Sequence, residues 1–249
     1  MNRIYWDKDK ILIVTNQLEA IKHRHCMLQL FFGLEKELNI CVAEKDLKSK
    51  CILVNQNVNH SFLTGRNLHM SLIIDTTSDL AEQLNRLIAK NEYHIFDSEQ
   101  YEEIEKYGYA LIRSNDIDDY RKLIQVLYSY LGISESRKLY DDRITKLLHS
   151  IEHCDCDEHS ISFFAEKVSL SPSRLSHLFR AQVGIPLKSY IQLHQMQKAF
   201  LALLEGRSIT EAAMLAKFDS PSHFAAVTKR MMGTPASISL KNSEFLKVF

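Results

Sequence analysis

Two groups of residues have the types and spacing to do chemistry. In the C-terminal part, Ser173, Arg174, Ser176, His177 and Arg180 alternate with Leu175, Leu178 and Phe179. Apolar residues at i, i+3 and i+4 face inward on a helix, so the five polar ones face out. Small hydroxyls and an imidazole suit base edges in a major groove, here Ser173, Ser176 and His177; Arg174 and Arg180 suit phosphate. Forty-nine residues later, Ser222, His223, Lys229 and Arg230 surround the apolar positions Phe224, Val227 and Met231. On this second face Ser176 and His177 are replaced by Ala225 and Ala226, and Phe179 by Thr228. Alanine can touch only a thymine methyl, so this face is expected to hold phosphate and read little sequence. The second group is N-terminal. His23 and His25 flank Arg24 at what reads as a strand start and so point to one side, while His60 closes the run Asn55-Gln56-Asn57-Val58-Asn59.

The elements that position the first group are marked by their caps. Ser171-Pro172-Ser173 is followed ten residues on by Gly184-Ile185-Pro186, and the frame recurs as Ser220-Pro221-Ser222 and Gly233-Thr234-Pro235. Serine accepts from an orphan backbone N–H, proline suits the first helical position, and glycine followed by proline ends the helix. Two matching helices, Pro172–Val183 and Pro221–Met232, are therefore predicted. A helix Ser162–Val168 precedes the first of them, and Leu187–Leu204 is a longer helix ending at Gly206. Ser208-Ile209-Thr210-Glu211 is a capping box that opens a helix running to about Ala216. The order is helix, turn, helix, long helix, helix, turn, helix: two helix-turn-helix units on one connecting helix.

Net charge is zero, but it is unevenly distributed. Residues 160–249 hold 11 Lys/Arg against 5 Asp/Glu, a net +6, and residues 1–159 hold 20 against 26, a net −6. A basic part joined to an acidic one fits a nucleic-acid module attached to something else. No stretch approaches the roughly 20 apolar residues of a membrane span. Met1–Lys10 is charged and has no apolar signal core, so a cytoplasmic location without membrane contact is expected. Five cysteines, at 26, 41, 51, 154 and 156, form no framework spacing, in keeping with a reducing compartment.

The first hundred residues read as short strands, Ile11–Asn16, His25–Phe32, Leu38–Ala43, Cys51–Asn55 and His69–Asp75, with Glu44–Lys50 and Thr64–Asn67 as polar turns. A small barrel or sandwich follows from them. From about Thr77 the pattern turns helical, with Leu80, Leu84, Leu87 and Ile88 on one face. Asp116–Leu131 carries a stripe of Tyr120, Leu123, Ile124, Leu127 and Leu131, which could pair two copies of the chain or pack back on its own barrel. After a break at Gly132–Ser136, Arg137–Glu152 is a further amphipathic helix. His153-Cys154-Asp155-Cys156-Asp157-Glu158-His159 has suitable metal-ligand types but reads first as a solvated acidic loop.

Over residues 140–249 the sequence resembles the AraC-type (AraC/XylS) transcription regulators. The resemblance rests on Phe164-Ala165, Leu170 through Ser176, Phe179-Arg180, Gly184-Ile185-Pro186, Ser220 through Phe224, Lys229-Arg230 and Gly233-Thr234-Pro235. It implies one protomer docking into two successive major-groove segments. The second unit departs from the family pattern. Lys217-Phe218 stands where Gly-Phe is usual, Thr228-Lys229 where Phe-Lys is usual, Ala226 where arginine is common, and Ser239-Leu240 where an aromatic-arginine ending is usual. The N-terminal part resembles, more weakly, the cupin barrels that precede many such DNA-binding halves. In metal-binding cupins a His-x-His, a glutamate and a later histidine hold the metal. Here the glutamate position falls near Gln29 or Leu30, and a neutral amide is a poor substitute for a carboxylate.

The expected fold is α+β. A small cupin-like barrel (1–98) with His23, His25 and His60 in an effector pocket precedes a helical linker and dimerisation segment (99–152). A DNA-binding domain with two helix-turn-helix units (153–249) completes it. The expected function is a sequence-specific, dimeric transcription regulator of the activator kind, with double-stranded DNA, a small-molecule effector and RNA polymerase as partners. No metal, cofactor or catalysis is expected. The competing readings are a cupin-type metal enzyme with a helical partner domain, and an interaction protein whose paired helix-turn-helix units are degenerate.

Overall fold

The computed structural model describes residues 2–7, 9–17, 20–63, 65–96, 101–114, 116–133, 139–153, 160–232 and 243–248. The chain divides into two compact units, Met1–Arg137 with Arg230–Phe249, and Lys138–Lys229. The segment read as a linker, 99–152, is shared between them.

The first unit is built on two sheets. Seven strands, β1 (Asn2–Trp6), β2 (Lys10–Thr15), β4 (Leu28–Gly33), β7 (Cys51–Val54), β9 (His69–Ile74), β10 (Tyr93–Ile95) and β11 (Ser243–Lys247), lie in the order β10-β7-β4-β9-β2-β1-β11. Four more, β3 (Ala20–His23), β5 (Leu38–Val42), β6 (Lys45–Ser49) and β8 (His60–Leu63), lie in the order β3-β8-β5-β6. Neighbours pair antiparallel except β1 and β11, which run parallel. Among the described residues this pairing closes neither sheet on itself. The α+β class holds, and this pairing does not confirm the expected barrel.

Both faces of the large sheet are buried, which explains why its strands lack strict alternation. Leu28, Leu30 and Phe32 of β4 face a core with α1 (Asp79–Ile88), α2 (Glu102–Arg113) and α3 (Ile117–Tyr130), built from Leu84, Ile104, Leu111 and Leu123 among others. Phe31 faces the other way, with Ile52, Val54, Ile40 and Phe62. The stripe read as a possible pairing surface lies in the first of these cores. Tyr120, Leu123 and Leu127 are at most 1% exposed, and Ile124 and Leu131 pack against the same cluster. The Tyr120 ring stacks on Tyr5 at 5.3 Å, and its hydroxyl donates to Asp7 Oδ2 at 3.0 Å. These residues cover their own sheet because its apolar face would otherwise be in water, so the dimer-interface expectation is corrected for the three buried ones.

Helix α2 was not legible in the sequence. Its N-cap, Tyr101, supplies no side-chain cap, and it carries Gly108 in its interior. A Cβ there would meet Leu34 Cδ2 at 2.6 Å, so the glycine lets the helix approach the sheet closely. At its other end the guanidinium of Arg3 donates to the carbonyls of Leu111 and Ser114 and its Nε to Glu244 Oε2 at 3.2 Å. A cation at a helix C-terminus is well placed against the last carbonyls. Arg3→Ala is expected to destabilise this unit by about 2–3 kcal/mol, since bonds from a buried charged donor are lost. Glu244 is 50% exposed, so Glu244→Ala should cost under about 1 kcal/mol. Urea melts of the two variants check the ranking.

The second unit is helical: α4 (Asp142–Glu152), α5 (Ile161–Lys167), α6 (Pro172–Val183), α7 (Leu187–Leu204), α8 (Ile209–Leu215) and α9 (Pro221–Met232). Among the described residues no helix is long and apolar enough to cross a membrane.

Candidate DNA-reading helices and a buried histidine cluster

Each helix-turn-helix turn is a Schellman motif. After α5, the N–H of Leu170 bonds the carbonyl of Ala165 at 3.0 Å and that of Ser169 the carbonyl of Glu166 at 3.0 Å. After α8, Phe218 bonds Ala213 and Lys217 bonds Met214, both at 3.0 Å. The left-handed residue this motif needs is Ser169 (φ 54) in one turn and Lys217 (φ 60) in the other. The departure at Lys217 thus falls on the one residue of its turn where glycine costs least. The second turn is also one residue longer, since four residues separate α5 from α6 and five separate α8 from α9. The added residue is Asp219, and its carboxylate lies 3.0 Å from His223 Nδ1. His223 is the imidazole that the sequence assigns to phosphate.

Helix α6 is capped as predicted. Ser171 Oγ accepts from Arg174 N at 3.3 Å, and Gly184 closes the helix with φ 88. Leu175, Phe179 and Val183 are buried, and Leu178 is half-buried. Ser173, Arg174, His177 and Arg180 are exposed, and Ser176 is half-buried with its hydroxyl donating to Pro172 O at 2.8 Å. Only its lone pairs are then offered outward. In α9, Ser220 Oγ accepts from His223 N at 3.1 Å, and Phe224, Val227, Thr228 and Met231 are buried. Ser222, Ala225, Ala226, Lys229 and Arg230 are exposed and His223 is half-buried. The two outward faces therefore have the unequal chemistry read from the sequence. Gly233-Thr234-Pro235 and most of the loop 153–159 lie outside the described residues; His153 itself stacks on His149 at 4.2 Å.

The N-terminal histidines come together, though not by strand alternation. His23 ends β3 and His25 lies beyond it, in the connection to β4. His60 opens β8 and is the register partner of His23. The ring centroids of His23, His25 and His60 are 4.3–5.5 Å apart, and one nitrogen from each lies within 4.8 Å of the others. All three are buried. Burial lowers the pKa of each, to about 4 for His25 and about 3 for His60, where the neighbouring imidazoles add repulsion. Each Nδ1 faces a backbone carbonyl: Ile21 O at 2.8 Å, Met27 O at 3.1 Å and Val58 O at 3.0 Å. A carbonyl only accepts, so the neutral tautomer with Nδ1–H satisfies these contacts at His25 and His60, and the His23 ring also bonds the backbone of His60. Gln29, noted in the sequence only for the carboxylate it lacks, has Oε1 2.9 Å from His25 Nε2 and 3.0 Å from His60 Nε2. Its Nε2 donates to Ser71 Oγ at 2.7 Å.

Two helix-turn-helix units, each with a cationic outer face, are thus joined by the single helix α7. Residues 164–241 match the family model described as a helix-turn-helix domain. Over this domain the chain is similar to regulators of the AraC type. The arabinose operon regulatory protein of Salmonella typhimurium is 35% identical over 99 residues, 39% of this chain and 35% of that protein, so the match spans about a third of the relative. The fold is shared more widely. ToxT from Vibrio cholerae O395 superposes with a TM-score of 0.59 at 13% identity, covering 95% of this chain and all of that one. ToxT bound to (E)-4-(8-methylnaphthalen-1-yl)but-3-enoic acid gives 0.56 at 13% identity, covering 93% of this chain and 98% of that one.

Proposed function

We propose that this protein is a sequence-specific DNA-binding transcription regulator whose first unit responds to an effector. The observation that carries the reading is the duplicated pair of capped helices, α6 and α9, with exposed polar faces on matching registers. On this reading Ser173, Ser176 and His177 contact base edges. Arg174, Arg180, Ser222, His223, Lys229 and Arg230 contact phosphate. The effector site is the cluster His23, His25 and His60, in a cupin-like shell formed by the two sheets. An effector that prefers one arrangement of the chain shifts the population that engages DNA. The protein acts in the cytoplasm as a homodimer, contacts RNA polymerase as an activator, and catalyses no reaction. With Tyr120, Leu123 and Leu127 buried, pairing uses another surface.

DNA binding titrated against salt tests the proposal. Arg180→Ala should weaken binding to all sequences alike and reduce the slope of log K against log salt by about 0.9. His177→Ala should leave that slope nearly unchanged while reducing discrimination at its bases by about 1–3 kcal/mol. If fragments of the source genome show no site bound better than random DNA, the interaction-protein reading replaces this one.

A further inference from the structure

Strand β11 departs from the rest of its sheet in two ways. Among the described residues it alone pairs in parallel, and it follows the second reading helix in the chain, whereas every other strand precedes the first. Its five residues lie in register on β1, from Asn2↔Ser243 to Trp6↔Lys247, and the N–H of Val248 donates to Trp6 O at 2.9 Å just beyond it. Residues 233–242 join it to α9 and span at most roughly 35 Å. A docked β11 therefore ties the end of α9 to the first unit. The tie reaches into the helix itself. The first unit resumes at Arg230, so the last turn of α9 is grouped with it and the earlier turns with the second unit. Arg230, assigned to phosphate, is also engaged in an interaction within the chain.

The hold is light. β11 is an end strand, and a parallel pair is slightly weaker than an antiparallel one. Leu246 and Val248 are only half-buried against the core, and Glu244 meets Arg3 with half its side chain in water. Segments with so few buried contacts open locally while the rest of a domain stays folded. The hold also has a second side. The guanidinium that bonds Glu244 bonds the carbonyls of Leu111 and Ser114 at the end of α2, so a change at that end reaches β11 through one shared donor.

We propose that β11 is a releasable strap. Docked on β1, it restrains the second helix-turn-helix unit from engaging DNA; its release, prompted from the end of α2, frees that unit. The inference rests on the regulator reading and supplies its regulatory contact. With the strap released in about 10% of molecules or fewer, apparent affinity for DNA is about tenfold or more below that of a permanently released form. By linkage, DNA must in turn favour the released strap.

The test uses the full-length chain and a genomic fragment selected by the wild-type protein. Val248→Pro removes the N–H that bonds Trp6 O and should tighten binding about tenfold. Asn2→Cys combined with Ser243→Cys puts a disulfide across a register pair. Oxidised, this variant should bind at least about tenfold more weakly than the same protein reduced, while wild type under the same oxidant is unchanged. Amide exchange at Leu246 and Val248 should rise when the fragment is added. Three results overturn the strap and leave the regulator reading in place, provided wild type still prefers its site. One is a disulfide that leaves affinity within about twofold. Another is a Val248→Pro protein with native Trp6 emission that binds no more tightly than wild type. The third is protection at the two amides that DNA leaves unchanged or increases. If no form, locked or free, prefers any fragment over random DNA, both readings fall.

Discussion

Acidification from pH 7 to pH 4 in EDTA is expected to unfold the first unit. Four imidazoles are buried there. His23 is lowered, His25 and His69 are lowered to about 4 and His60 to about 3, in each case chiefly because burial disfavours the charged ring. In the unfolded chain each titrates near its ordinary value of about 6.5. Between about pH 6.5 and 4 the unfolded state therefore binds protons that the folded state refuses, and stability falls as pH falls. The contribution is fully present above about pH 6.5. Below it, each imidazole removes up to about 1.4 kcal/mol per pH unit. Over this window His25, His60 and His69 together remove an amount on the order of the roughly 5–15 kcal/mol that holds a domain folded, and His23 acts in the same direction. His69 adds to this from a separate place: its Nδ1 faces Asn67 O at 3.0 Å, and its Nε2 has no partner among the described residues. The chain supplies its own probe, since its one tryptophan, Trp6, is buried in β1 of this unit. Among its described residues the second unit carries one comparable group, His194, lowered to about 4, and should respond less steeply. A urea midpoint from Trp6 fluorescence that stays constant between pH 7 and pH 5 would falsify the expectation.

What the sequence revealed depended on whether a structural feature leaves a local chemical mark. Helices α6, α7 and α9 have the predicted bounds because Ser-Pro starts and Gly-x-Pro stops are local chemistry. Strands without such marks went unread. β6 is a polar edge strand and reads as a turn; β1 carries Asn2 and Arg3, buried only because β11 and the end of α2 supply partners far away in sequence. The histidine cluster was legible in part. Its three members were identified, but the reason given, alternation along one strand, does not hold, because His25 lies off β3. Gln29 looked like a missing carboxylate, and Ser71, 42 residues further on, had no signal at all. Only the sheet pairing that puts β4 beside β9 brings these two together.

The duplicated helices allow one position to be tested in two environments. Phe179 and Thr228 occupy the same register in α6 and α9, and both are fully buried. Phe179 fills its site, with its ring 5.4 Å from that of Tyr190. Phe179→Ala should therefore destabilise the second unit by about 3–5 kcal/mol, the cost of a lost aromatic and the cavity left behind. Thr228 should behave oppositely. Its hydroxyl has no hydrogen-bond partner among the described residues, so the folded state carries an unmet polar group where the other repeat carries a ring. Thr228→Val keeps the shape, removes the hydroxyl and should stabilise the unit by about 1 kcal/mol. Hydrogen exchange of amides in α5 to α9 reads both changes in the full-length chain. The opposite signs matter, because a general sensitivity of this unit to substitution would lower protection in both variants. A gain in protection for Thr228→Val alongside a loss for Phe179→Ala would show that the second repeat kept the frame of the first while losing the residue that packs it best.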